Sequence, residues 1–148
     1  MIYPIELTID NDIVDEQLEH KNVIKIKNER CDTDEVCYSY ALNDLAFAKG
    51  ELVYSCEQGF YFLDTFFSQT EIENAKIGDI ITYHELIEYD GYEKVSARNC
   101  LHFGVISETD GTIEGTTIES KWGDDGIYKT KICDVVEMYG NAVLIWKI

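Results

Sequence analysis

The stretch that most constrains the fold is residues 101–107, Leu101-His102-Phe103-Gly104-Val105-Ile106-Ser107, where apolar residues occupy both alternating sets of positions. A strand apolar on both faces belongs in the middle of a sheet with a layer over each face. The chain must therefore supply helices or long loops to cover it. It also places an imidazole, His102, in an apolar strand, where a buried ring needs a hydrogen-bond partner or a function.

The rest of the chain reads as short strands around one clear helix. Residues 5–9 and 22–27 alternate apolar and polar, the second as an edge strand with outward lysines. Between them, residues 10–21 are strongly polar. Asp32 or Thr33 is the expected N-cap of a helix running to about Lys49, with Gly50 as its stop. Tyr38, Ala41, Leu42, Leu45 and Ala48 form its apolar stripe at three-to-four spacing. Residues 52–56 and 60–67 are apolar and aromatic, and fit strands or a second helix equally. Residues 71–76 read as a short helical piece, and Gly78-Asp79 opens a strand through Tyr83. Residues 84–98 are charged and tyrosine-rich, as in a long hairpin loop. Thr109-Asp110-Gly111 is a turn signal, followed by a strand over residues 112–120 with a bend at Gly115. Residues 127–132 and 142–148 give two more strands, with a helix or turn over 134–139. One helix followed by antiparallel strands is an α+β domain. At 148 residues, without a linker or repeat, a single domain is expected. Residues 1–30 form an N-terminal extension with the edge strand, and 31–148 the core.

Charge narrows the partners. With 29 acidic against 12 basic residues the net charge is −17, which repels nucleic-acid phosphates and anionic membrane surfaces. Neither is expected as a partner; a basic protein or a small neutral substrate is. The first residues carry no basic region and no long apolar run, and no stretch reaches the ~20 apolar residues of a membrane span. Five cysteines, at 31, 37, 56, 100 and 133, lack paired spacing. Reduced thiols in a cytoplasmic protein are the expectation. Without a CxxC pair, a zinc site is not expected, and no cofactor motif is present.

Three pieces carry chemistry. Cys37 lies in the first turns of the helix, where the positive end of the helix dipole favours a thiolate; the neighbouring Asp32, Asp34 and Glu35 oppose it. His102, on a rigid strand, is the candidate base for Cys37. A third group would fix the imidazole tautomer, and Glu114, Glu119 and Ser120 are the candidates. Glu119 and Ser120 point to opposite faces of a strand, and Glu119 is chemically the stronger orienter. Cys37 as a small buried core residue and His102 as a satisfied core histidine remain the plain structural alternatives.

The order of these pieces resembles the papain-like thiol hydrolases, above all the small NlpC-type peptidases and amidases. Val36-Cys37-Tyr38-Ser39-Tyr40-Ala41-Leu42 resembles their nucleophile helix, and Ile77-Gly78-Asp79-Ile80-Ile81-Thr82-Tyr83 their glycine-aspartate strand. His102-Phe103-Gly104-Val105-Ile106 resembles the strand that carries their base. Ile118-Glu119-Ser120-Lys121-Trp122-Gly123 is similar to the segment whose tryptophan shields the base and its orienter. With Tyr139-Gly140 the pattern also resembles a group of small bacterial proteins with Ser-Lys-Trp-Gly and Tyr-Gly motifs. Val36 departs from the usual Asp or Asn before the cysteine, and Ser120 from the usual orienting Asn. The resemblance implies a nucleophile helix packed on a mainly antiparallel sheet of five or six strands. It implies a cysteine hydrolase acting on a peptide or amide substrate through Cys37, His102 and Glu119 or Ser120. The charge and the acidic setting of Cys37 frame two alternatives, a non-enzymatic acidic binding protein of immunity or antitoxin type and a degenerate papain-like scaffold.

Overall fold

The computed structural model describes residues 4–7, 23–27, 36–89, 92–94, 96–122, 126–135 and 139–148. Among the described residues, two α-helices, α1 (Cys37–Ala48) and α2 (Cys56–Phe66), accompany ten strands. The strands are β1 (Ile5–Glu6), β2 (Val23–Lys27), β3 (Ser68–Thr70), β4 (Ile80–His84), β5 (Ile87–Tyr89), β6 (Tyr92–Lys94), β7 (Cys100–Glu108), β8 (Thr117–Lys121), β9 (Ile127–Lys131) and β10 (Ala142–Lys147). The fold is α+β. Its main sheet runs β1-β10-β4-β7-β8-β9-β2, with β3 added beside β10, and every described pairing is antiparallel. Eight strands thus replace the expected five or six. The two short ones, β1 and β3, lie end to end along one side of β10. β5 and β6 form a separate hairpin, which gives the segment after His84 the hairpin its composition suggested.

β7 lies inside the sheet between β4 and β8, and each of its faces is covered. On one side Phe103 and Val105 join Leu42, Ala46, Phe60, Leu63, Leu144 and Trp146 under the two helices. On the other, Ile106 packs with Ile81, Ile118, Val143 and Ile145, closed over by Ala75, Ile132 and Val135. Burying a large aliphatic or aromatic side chain is worth roughly 1.5–3 kcal/mol, so these two clusters hold the layers together.

The first helix ends where Gly50 predicts. Gly50 adopts φ +70, and the amides of Gly50 and Glu51 turn back to the carbonyls of Phe47 and Ala46 at 3.1 and 2.8 Å. This is the Schellman arrangement that a glycine at that position permits. Its start differs from expectation. Asp32 and Thr33 lie outside the described residues, and the helix begins at Cys37 with Val36 as cap. The Ser39 hydroxyl accepts from the Val36 amide at 2.7 Å. Ala46, rather than Ala48, completes the buried stripe. The ambiguous aromatic stretch resolves as α2 because Ser55 caps it, its hydroxyl accepting from the Gln58 amide at 3.1 Å.

Two other local expectations change. The strand placed at 112–120 shortens to β8, because Asp110 accepts from both the amide and the hydroxyl of Thr112 at 2.9 and 2.7 Å and folds that segment into a loop. Gly78-Asp79 does open β4, through Gly78 at φ +94. Asp79 is buried and accepts from the amides of Lys76 and Ile148 at 2.8 and 3.2 Å, tying the end of β10 to the start of β4. Of the segment at 134–139, only residues 134, 135 and 139 are described. No described helix is long and apolar enough to cross a membrane.

Candidate active site

Cys37 is the first residue of α1, and Cys56 is the first residue of α2. The two helix starts converge, and the sulfurs stand 3.9 Å apart. Local bonds hold them there. The Tyr38 hydroxyl donates to the Tyr54 carbonyl at 2.9 Å, and the Tyr54 amide donates to Gln58 Oε1 at 2.8 Å. The segment joining the helices is thereby pinned at Tyr54, just before Ser55.

β7 enters this corner at an irregularity. Tyr83 pairs with His102 but His84 pairs with Cys100, so the register shifts there. Cys100 and Phe103 both join the helix-side cluster, with His102 between them. His102 is fully buried. Its ring stacks on Tyr139 with centroids 3.8 Å apart and planes 7° apart, and tilts against Tyr83 at 5.6 Å. Neither ring nitrogen completes a hydrogen bond of good geometry, and these ring contacts hold the imidazole beside the Cys37 thiol, whose titration it affects.

The Cys37 thiol is pulled well below its ordinary range. The hydrogen bond from Cys56 contributes most, burial opposes it, and the nearby His102 imidazole and the Phe103 amide add to the lowering. The Cys56 thiol is pushed up, first because its proton bridges to Cys37 and then by burial. Cys100 is pushed up by burial and by the Cys37 charge. The two shifts run in opposite directions, so Cys37 is the sulfur that this corner favours as the thiolate. A helix start lies behind each of the first two sulfurs, which favours that charge.

The sequence-predicted residues divide. Cys37 and His102 are brought together. Glu119 accepts a hydrogen bond from the Tyr40 hydroxyl of α1 at 3.2 Å, and Ser120 accepts from the Trp122 indole N–H at 3.2 Å. Neither bonds to His102, nor does Glu114. Trp122 stacks on Tyr128 at 4.2 Å and meets Tyr139 edge-on at 6.3 Å. Ser120, Trp122, Tyr139 and His102 thus form a continuous line, buried except at the half-buried Tyr139. Gly140, at φ +102, sits where a Cβ would strike the His84 carbonyl, which fixes the chain just after Tyr139.

Two residues were not singled out in the sequence. Cys56 lay in a stretch of undecided period, although Ser55-x-x-Gln58 is a helix-start signal that puts a cysteine first in the helix. His84, expected to be exposed among polar neighbours, is buried. Its Nε2 lies 2.7 Å from Thr82 Oγ1 and its ring meets Phe60 edge-on at 5.6 Å. It ends a fully buried strand beneath α2, a long-range packing that its polar sequence neighbours do not reveal. His20 and Cys31 lie outside the described residues. Among the described residues, no three His, Cys, Asp or Glu side chains are placed to hold a metal ion. Compared with protein-family models, curated proteins and solved structures, the chain finds no match.

Proposed function

We propose that the chain is a cysteine hydrolase of papain-like, NlpC-type architecture that cleaves an amide or peptide bond. The observation that carries this reading is the thiol of Cys37 at the start of α1, with its pKa lowered in part by the imidazole of His102. In this reading the Cys37 thiolate attacks the carbonyl carbon, and the electron pair of the C=O bond moves onto oxygen. The first amides of a helix have no intrahelical acceptor, so the Cys37 N–H stabilises that oxyanion. His102 delivers a proton to the leaving amine, then takes one from the water that hydrolyses the thioester. The π-stack with Tyr139 holds the ring plane, while the tautomer-fixing hydrogen bond expected of Glu119 or Ser120 is not made. Catalytic hydrogen bonds are often long before substrate binds, and the unpartnered nitrogens of His102 fit that state.

The test is the pH dependence of Cys37 alkylation by iodoacetamide. The midpoint is expected well below the ordinary thiol value of about 8.5, and His102→Ala is expected to raise it by about 1–3 units. An ordinary midpoint, indifferent to the histidine, would sink the proposal. Cys37→Ala is expected to abolish hydrolysis of a neutral peptide-amide library while leaving the urea midpoint within the range of a small core change.

A second reading, an acidic binding protein, draws on the net charge of −17 and on the apolar side chains exposed around the two helices. Phe47, at 85% exposure, Leu52, Tyr54 and Tyr61 all face solvent. Association with a basic protein that weakens with salt, from a chain with an unreactive Cys37, would favour it.

A further inference from the structure

In the hydrolytic reading Cys56 serves only as a hydrogen-bond donor to Cys37, a task that a hydroxyl would also perform. A second thiol 3.9 Å from the nucleophile, first in its own helix and less buried than Cys37, is placed for a different reaction. We propose that Cys37 and Cys56 form a redox-active dithiol, in which a hydroperoxide oxidises Cys37 and Cys56 closes the product to an intramolecular disulfide.

Three observations support it. The sulfurs need only approach from 3.9 Å to the roughly 2.05 Å of an S–S bond, a movement within reach of side-chain rotation at two helix starts. The joining segment is pinned by the Tyr38–Tyr54 and Tyr54–Gln58 bonds, so the pair is presented by the fold rather than met by chance. The thiolate also resides on the inner sulfur, with the neutral thiol on the outer one. That is the division of labour between an attacking and a resolving cysteine.

The chemistry balances. The Cys37 thiolate donates an electron pair to the terminal peroxide oxygen. The O–O bond breaks, the alkoxide leaves and takes a proton as the alcohol (or water, from hydrogen peroxide), and Cys37 becomes a sulfenic acid. The Cys56 thiol, losing its proton, attacks that sulfur. The S–O bond breaks, water leaves, and the disulfide forms. Two thiols give up two electrons and the peroxide takes them. A small dithiol reverses the change by exchange. Oxidation removes Cys37 as a nucleophile, so the disulfide would also silence any hydrolytic activity. The proposal itself rests on the sulfur geometry and not on hydrolysis.

The test uses the full, reduced chain and one equivalent of hydrogen peroxide. The reaction is quenched with N-ethylmaleimide and followed by peptide mapping in a mass spectrometer. Cys133, half-buried and away from the pair, serves as the internal reference. A Cys37–Cys56 link is expected to form more than tenfold faster than Cys133 oxidises, and to disappear with dithiothreitol. In Cys56→Ser, dimedone is expected to trap a sulfenic acid at Cys37. Accumulation of sulfenic or sulfinic acid at Cys37 in the unaltered chain with Cys56 still reduced would overturn the proposal. So would a link from Cys37 to Cys100, or oxidation no faster than at Cys133. These readouts concern sulfur alone, so they hold or fail independently of amide hydrolysis.

Discussion

His84 and His102 are separated by two strand positions across the β4–β7 pair, yet they carry different chemistry. His84 donates or accepts to Thr82 inside the core, and burial pushes its pKa down to about 3, against a small upward pull from the Ser96 backbone. Its folded value is depressed, so the unfolded chain binds its proton first. The associated stability is complete above the unfolded value of 6.5 and is lost as pH falls toward 3. Between pH about 6.5 and 5, where carboxylates remain ionised, the urea midpoint should fall with acidification. The slope is limited to about 1.4 kcal/mol per pH unit for one proton. His84→Asn should flatten that slope; a slope unchanged by the substitution would remove His84 as its source. At this scale the sequence singled out Cys37 and His102 as candidates, because one follows turn signals into a helix and the other interrupts an apolar strand. It did not reveal that Tyr139, distant in the chain, would hold the imidazole, since stacking partners leave no periodic mark.

The element that decides the site's geometry is α2. It brings Cys56 to Cys37, and it does so by lying close to β7 through Gly59. A Cβ there would meet Phe103 Cζ at 2.7 Å and Leu42 Cδ1 at 3.0 Å, and both side chains are fully buried. Gly59→Ala gains up to about 1 kcal/mol of helix propensity but forces overpacking that costs about 1–3 kcal/mol. Net destabilisation is expected in urea unfolding. The displaced helix should also slow formation of the Cys37–Cys56 link, and an unchanged midpoint would show that α2 can shift freely. The elements were legible where their pattern was clear. α1, β7 and β10 are patterned along their length, and residues 5–9 alternate around β1, whereas the three residues of β3 are too few for alternation to register and the aromatic run of α2 hid its period. Residues 112–116 read as strand because their β-branched side chains outweighed the effect of Asp110 on the loop.

For the molecule as a whole, a net charge of −17 on 148 residues means that folding gathers like charges into a smaller volume. Salt screens that repulsion, with a Debye length near 8 Å at physiological ionic strength. The urea midpoint should therefore rise when sodium chloride increases from about 10 mM to about 150 mM, and sucrose at matched osmolality should not reproduce the steepness. A midpoint that falls with salt would mean that ion pairs outweigh the repulsion. Composition alone supports this statement, while the strand order of the sheet had to come from structure.

That strand order sets a timetable. β10 is paired with β1 on one side, Ile5 to Val143, and with β4 on the other, Trp146 to Ile80. β7, β8 and β9 pair as neighbours in sequence, but β10 must find β1 and β4, segments far from it in the chain. Such long-range pairing is slow, with refolding in the range of milliseconds to seconds. α1, β7 and the turn between β7 and β8 are local enough to form early. The cysteine corner draws on α1, α2 and β7, all within residues 37–108, and β10 closes the sheet from the far end of the chain.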